Sequence, residues 1–279
     1  MNIQEAWDYG RFHLSTTSPT PDLDARLLLE HVLQKSHSHL VAHGDRPLSA
    51  AQQQRYLDCL QRARRKEPLP YISGLAPFYG RDFQVSPAVL IPRPETEQLV
   101  ELAIRWARPL GALRIADVGT GSGCIAITLA LHLPQAEITA GDISAAALAL
   151  ARANGQRLAP GRVRFVHGHL LEPIPGLLDL IAANLPYVTE GEWTQLDDGV
   201  KLYEPAVALK GGADGLDLIG ILLEQAASRL NSAGMLLLEI GWRQGGAAQA
   251  LAARHFPDAA IRLVTDYAGH DRIVVIEKD

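Results

Sequence analysis

A chain of 279 residues, 47% of them hydrophobic, is long enough for two domains, or one large one, around a real core. Its formal charge of -5 and pI near 6.1 supply no global basic field, so a nucleic-acid partner would need a local patch. The opening MNIQEAWDYG lacks a basic start followed by an apolar run, and no apolar stretch approaches the roughly 20 residues that span a bilayer, so a soluble, cytoplasmic protein with no membrane partner is expected.

From Pro21 to about Arg65 the runs DLDARLLLEHVL and SAAQQQRYLDCLQRARR space their apolar residues for helices, with Asp22 and Ser49 as N-caps. They define a small helical N-terminal domain over residues 1–72. Prolines and glycines then punctuate FYGRDFQV and AVLI, two short β-rich runs expected to pair as a β-hairpin connector over residues 73–93. PETEQLVELAIRWA follows as a helix, with Pro94 suited to its first turn and Glu95 and Glu97 near its positive end. It opens the domain expected over residues 94–279. Cys59 and Cys124 lie in helical segments without a CxxC partner or a nearby His pair, and read as free thiols.

After Leu110 the pattern changes. LRIADV, EITAGDI, VRFVHG, LLDLIAAN, MLLLEIG and IRLVTD are apolar-rich runs, with helical stretches such as SAAALALARANGQRL between several of them. That alternation predicts an α/β fold with a parallel sheet. DRIVVIEK follows DYAGH too closely for a crossover helix, so the last strand is expected to be antiparallel. Residues 188–213 form a long polar connection, of the kind that carries function at strand ends.

The strongest local signal is ADVGTGSGCIAITLA, where a strand ends at Val118 and Gly119, Thr120, Gly121, Ser122 and Gly123 lead into a helix. Such a loop lets a ligand approach the backbone and presents helix N-terminal N–H groups. A dinucleotide fingerprint would want glycine or alanine at position 124, which is Cys124, so the spacing tilts away from a nicotinamide cofactor. Asp142 closes the next strand, where an acid hydrogen-bonds ribose hydroxyls in nucleotide-binding sheets. Taken alone, the glycines need only a tight turn and Asp142 only a helix cap; together they describe a nucleoside-bearing ligand. DVGTGSG followed by GDIS resembles the S-adenosylmethionine-binding motifs of class I methyltransferases. The resemblance implies a Rossmann-like sheet, with Gly119 to Gly123 beside the methionine moiety, Asp142 on the ribose, and Asp117 either bracing the loop or facing the cofactor's cationic end.

Asn184, in ANLPY, ends the fourth predicted strand at the carboxyl edge of the sheet. Its side-chain oxygen and the Leu185 carbonyl can each accept from an NH2 group, Tyr187 can cover a planar π system, and Pro186 stiffens the backbone between them. These groups suit a planar nitrogen with a delocalised lone pair, either an amide or an exocyclic base amine. Gripping both hydrogens favours pyramidal nitrogen, so catalysis is orientation and electrostatic preorganisation, with no general base needed before methyl transfer. The stretch resembles the (N/D)PPY element of amino-group methyltransferases, and NLPY also resembles the form in ribosomal RNA adenine dimethyltransferases.

Further stretches separate those substrates. LPYISGLAPFYGRDFQVSPAVLIPRPETEQLVE, YEPAVALKGGADGLDLI, LLLEIGWRQG and DYAGHDRIVV resemble the release-factor glutamine N5-methyltransferases, the HemK/PrmC family, from about Pro68 to the C-terminus. The resemblance implies transfer of a methyl group from S-adenosylmethionine to the glutamine of the GGQ loop of peptide chain release factors. Asn184, Leu185, Pro186 and Tyr187 would hold that glutamine, and the helical domain would help grip the release factor. A monomer that does not bind nucleic acid directly is expected. Arg93 and Glu97 flank the Pro-started helix and read either as part of a cofactor cover or as a salt-bridged joint. Two departures stand out: Leu185 replaces the first proline of the usual Pro-Pro-Tyr, and His169-Leu170 replaces an Asp-Trp pair near the adenine, leaving Leu170 as an apolar wall. Other readings are an adenine methyltransferase acting on RNA or DNA, opposed by the acidic balance and by the absence of a Lys/Arg-rich stripe near the site, QRARRKE being the main basic cluster and reading as a solvated helix end, and a cofactor-binding regulatory module, opposed by the intact Asn-x-Pro-Tyr beside the glycine loop.

Overall fold

A computed structural model describes all residues 1–279. The chain forms two compact units, one of Met1–Leu75 with Asp197–Tyr203 and one of Ala76–Leu196 with Glu204–Asp279.

The first unit is helical: α1 (Ile3–Leu14), α2 (Pro21–Leu33), α3 (His37–Ala42), α4 (Ala50–Arg64) and α5 (Leu69–Ser73). Ser49 caps α4 as expected, accepting from the Gln52 N–H while Gln52 returns the bond to the Ser49 N–H. Asp22 does not cap α2: Thr20 stands at that position and Pro21 opens the helix, which leaves Asp22 inside the first turn, where its charge favours the positive end. The earlier helix α1 was not expected, yet it carries the same signature, with Asn2 and Glu5 closing a capping box. Leu28, Leu29, Leu40, Tyr56 and Leu60 fill the core, each aliphatic side chain contributing about 2 kcal/mol of burial. Gly10 lets α1 approach α4, because a Cβ there would stand 2.0 Å from the Tyr56 hydroxyl. Two residues of this unit's basic cluster are engaged: Arg62 binds Glu67 at 2.6 Å and Lys66 binds Asp198 at 2.6 Å, while Arg64 and Arg65 are exposed.

The second unit opens with a hairpin of β1 (Leu75–Phe78) and β2 (Arg81–Gln84). Its turn, Tyr79-Gly80, has both residues at positive φ, the geometry whose twist matches the strands it joins. The expected partner AVLI is not a strand: Pro87 and Ala88 form a turn, and the arm that pairs with RDFQ is the preceding LAPF. Phe78 and Phe83 pack into the core of the sheet domain beside Leu99 and Ile127.

Next come α6 (Pro94–Ala107), β3 (Arg114–Val118), α7 (Cys124–His132), β4 (Glu137–Asp142), α8 (Ala145–Leu158), β5 (Val163–His167) and β6 (Leu178–Asn184). The connection after β6 carries α9 (Glu190–Gln195) and α10 (Asp198–Tyr203), then α11 (Asp217–Ala227), β7 (Leu230–Glu239), α12 (Gly245–His255), β8 (Ala260–Thr265) and β9 (Asp271–Glu277). The seven strands order as β5-β4-β3-β6-β7-β9-β8. β9 runs antiparallel between β7 and β8, as the short DYAGH connection requires. The order turns back between β3 and β6, and there open α/β sheets bind ligands at their carboxyl ends. Helix α10 falls within the helical unit, so the 188–213 connection is not one loop but is divided between the two units.

Candidate active site

Val118 pairs with Ala183 in adjacent parallel strands, so the glycine loop and Asn184 leave the sheet side by side. Gly119, Gly121 and Gly123 all take positive φ, which side chains disfavour. The Gly119 and Thr120 N–H groups both donate to the Gly141 carbonyl, at 2.9 and 3.0 Å, tying the loop to β4. Asp142 Oδ2 accepts from the Gly121 N–H at 2.9 Å and its Oδ1 from the Ser144 N–H at 2.8 Å. Thus Asp142 also fastens the loop to the start of α8, where Ser144 is the N-cap.

Asp117 braces the loop from below: its Oδ2 accepts from the Thr120 hydroxyl at 2.6 Å and the Ala126 N–H at 3.1 Å, while its buried Oδ1 has no partner. Burial pushes this carboxyl up to about 7 against those two bonds. Burial likewise pushes the Cys124 thiol up to about 12, so it stays neutral and does not act as a nucleophile near pH 7.

Above the loop lies a cavity of about 260 Å³. Gly119, Thr120, Gly121, Ser122, Asp142, Leu170, Asn184, Leu185 and Pro186 line it, with His169 on the same wall. Gly123 and Tyr187 are not on its wall. The role of Gly123 is packing, since a Cβ there would meet Ile127 Cδ1 at 2.9 Å and Ala151 Cβ at 3.3 Å. Burial holds the Tyr187 phenol well above its ordinary value. Its carbonyl accepts from Gln244 Nε2 at 2.9 Å, and the same nitrogen donates to the Asp214 carbonyl at 2.9 Å. Glycines 211 and 215 let the returning chain lie against this stretch: a Cβ on Gly211 would stand 2.5 Å from the Pro186 carbonyl, and one on Gly215 2.1 Å from that of Tyr187.

Arg93 and Glu97 do not act as a pair. Arg93 binds the buried Glu204 at 2.5 Å, and Glu204 also accepts from the Ile91 N–H at 3.2 Å; Glu97 instead accepts from the Tyr79 N–H at 2.8 Å, joining α6 to the hairpin turn. Arg93 also lines the cavity, whereas Glu97 does not.

Thr96 and Glu239 went unassigned from the sequence. Thr96 lines the cavity, donates to Glu239 Oε2 at 2.7 Å and accepts from Asn184 Nδ2 at 3.1 Å. Glu239 is the register partner of Asn184 on β7 and is fully buried, which pushes its carboxyl up to about 7. A charged residue closing the apolar run LLLEIG was the available signal.

The cavity suits a nucleoside-bearing sulfonium cofactor. A Cβ on Gly121 would meet nothing within 4 Å, so the loop faces open space, and an acid and the apolar Leu170 flank it. A sheet of this strand order, with a glycine loop and an acid converging at its switch point, defines a class I S-adenosylmethionine-dependent methyltransferase. Solved structures agree on the fold: a methyltransferase from Pyrococcus furiosus gives a TM-score of 0.53 at 18% identity over 82% of this chain and 99% of its own. The T. thermophilus 16S rRNA N2 G1207 methyltransferase, in complex with AdoMet and guanosine, gives 0.51 at 18% identity over 74% of this chain and 50% of its own.

The sequence narrows the class. Residues 5–74 match the PrmC N-terminal domain and residues 106–208 the methyltransferase small domain. Release factor glutamine methyltransferases are similar along most of the chain: that of Koribacter versatilis is 44% identical over 87% of each chain, that of Bordetella pertussis 42% over 91% of this chain and 93% of its own, and that of Salmonella typhimurium 39% over 96% of each. The chain belongs to the release factor glutamine methyltransferase family.

Proposed function

We propose that this enzyme transfers a methyl group to the side-chain amide N5 of the glutamine in the GGQ loop of peptide chain release factors, and so acts on translation termination. S-adenosylmethionine, when bound, supplies the electrophilic methyl group. Gly119 to Ser122 and Asp142 hold that cofactor, Leu170 forms an apolar wall against it, and Gly123 seats the helix behind the loop. Asn184 Oδ1 and the Leu185 carbonyl each accept one hydrogen of the substrate NH2, Pro186 fixes their separation, and Tyr187 supports the clamp from behind.

The observation that carries this reading is the seat of Asn184, on the cavity wall beside the glycine loop with its NH2 on Thr96. Its Oδ1 is then the acceptor offered to a ligand. An amide nitrogen is a poor nucleophile because its lone pair is delocalised; binding both hydrogens disfavours the planar form, so preorganised acceptors lower the barrier without a base before transfer, and one N–H proton, made acidic as the N–C bond forms and the S–C bond breaks, is lost to solvent afterwards.

The family relatives bear the name of glutamine methyltransferases, which favours the amide over an adenine amine. Pairing of Arg62 with Glu67 and of Lys66 with Asp198 also offsets part of the positive charge of the basic cluster a nucleic acid would use. The helical unit contributes to release-factor recognition, and the enzyme works as a monomer without direct nucleic-acid binding. The test is incubation with methyl-labelled S-adenosylmethionine and either release factor or RNA. Label on the release factor is expected; label on RNA alone would overturn the reading.

A further inference from the structure

The side chain of Asn184 has two nearly isosteric orientations, and only one offers an acceptor to the cavity. Turned one way, Oδ1 faces the ligand; turned the other way, the NH2 group does, and it would repel the hydrogens of any substrate NH2. The choice between them lies in a chain of hydrogen bonds assembled from three distant segments.

Glu239 ends β7 and its carboxylate oxygen accepts from Thr96 Oγ1 at 2.7 Å. A hydroxyl carries one hydrogen. With Glu239 ionised and that hydrogen committed to it, Thr96 can only accept from its second neighbour, and Asn184 Nδ2 donates to it at 3.1 Å. Thr96 and Glu239 are both buried, at 2% and 1% exposure, so each depends chiefly on protein partners. A flipped Asn184 would set Oδ1 against the Thr96 oxygen, two acceptors with no hydrogen between them. Register and helix geometry support the arrangement: Asn184 and Glu239 are neighbours on parallel strands, and Thr96 enters from the first turn of α6, just after Pro94.

We infer that Thr96, polarised by the buried Glu239, is a positioning residue that fixes the Asn184 amide with Oδ1 toward the cavity and thereby selects an NH2-bearing substrate. The inference rests on the proposed role of Asn184 as a substrate clamp. It gives a physical reason for the threonine of IPRPETE and the acid of LLLEIG, which the glycine loop and the Asn-Leu-Pro-Tyr stretch leave unexplained.

The experiment compares Thr96→Val, which keeps the shape and removes the hydroxyl, with Thr96→Ser, which keeps the hydroxyl. A Thr96→Val/Glu239→Leu double variant removes the polar pair together, so that no buried carboxylate is stranded if the single variant folds poorly. Thr96→Val and the double variant should lower kcat about 10- to 100-fold, the scale of a misoriented reacting group. The KM for release factor and the calorimetric cofactor affinity should stay within about twofold, and Thr96→Ser should return kcat close to wild type. Independently of activity, the Asn184 side-chain NH2 should exchange slowly with solvent in wild type and Thr96→Ser, and rapidly in Thr96→Val, by ¹⁵N NMR.

Wild-type kcat and slow exchange in the valine variants would overturn the inference, as would equal impairment of Thr96→Val and Thr96→Ser. Should wild-type enzyme label adenine instead of glutamine, the proposed substrate fails while the same comparison, read on adenine, still decides the role of Thr96.

Discussion

Leu185 rests on Gly119: the Cβ that Gly119 lacks would stand 3.0 Å from Leu185 Cδ2 and 3.8 Å from the Asn184 carbonyl oxygen. The first glycine of the loop and the residue that replaces proline after Asn184 therefore share one space. Leu185 is 4% exposed, so the larger side chain is accommodated by packing and not by projecting into solvent.

A methyl group at position 119 should act on the cofactor site twice, through a φ of +74° and through Leu185. Left-handed backbone costs roughly 1–2 kcal/mol for a residue with a Cβ. Gly119→Ala is expected to weaken cofactor affinity about tenfold in calorimetry. Leu185→Pro, which preserves the carbonyl, should leave kcat within about threefold of wild type, since the proposed hydrogen bond comes from the backbone. Full cofactor affinity in Gly119→Ala would show that Leu185 yields freely.

Removing the proposed clamp should separate binding from chemistry. Asn184→Ala is expected to lower kcat by about 10²–10³-fold, the usual effect of deleting one preorganised electrostatic contact. Cofactor affinity by calorimetry should change by less than about threefold. An equal loss of both would mean that Asn184 serves the cofactor more than the substrate.

Gln244 holds three backbone groups from three segments: the Gly241 N–H donates to its Oε1, and its Nε2 donates to the carbonyls of Tyr187 and Asp214. Each buried polar group left unpaired costs about 1–3 kcal/mol. Gln244→Ala should destabilise the protein by roughly 2 kcal/mol and lower Tm by several degrees. Activity should fall further than stability accounts for, because Tyr187 follows the clamp directly; a Tm shift with unchanged kcat would contradict that coupling.

Two buried carboxyls set a pH dependence. Asp117 and Glu239 are each raised to about 7 in the folded protein, from 3.8 and 4.5. Between about pH 4 and 7 the folded state holds protons that the unfolded chain has released, so stability falls as pH rises through this window and levels off above it. Asp117→Asn removes one of the two groups. Urea unfolding of the cofactor-free enzyme at pH 5 and pH 8 should give a smaller difference for Asp117→Asn than for wild type; an equal difference would place Asp117 outside this linkage.

The sheet and the glycine loop were legible because their causes are local: apolar runs alternate with helical spacing, and DVGTGSG needs positive φ where its glycines stand. The antiparallel β9 followed from the short DYAGH connection. Long-range pairing was not legible. Thr96 meets Glu239 across 143 residues and Arg93 meets Glu204 across 111, and no spacing rule connects them. AVLI failed as a strand for a related reason: β-rich composition permits a strand, but the upstream LAPF, joined to RDFQ by the two-residue Tyr79-Gly80 turn, took its place as the partner. The packing of the 211–215 glycines onto Pro186 and Tyr187 was likewise invisible until the backbone was in place.

The most direct measurement is fragment-ion mass spectrometry of a full-length release factor after incubation with the enzyme and S-adenosylmethionine, with RNA in a parallel reaction. One added methyl group on the side-chain nitrogen of the GGQ glutamine, absent with Asn184→Ala, is the result expected. A methyl group on an adenine, or on any release-factor residue other than that glutamine, would contradict the account.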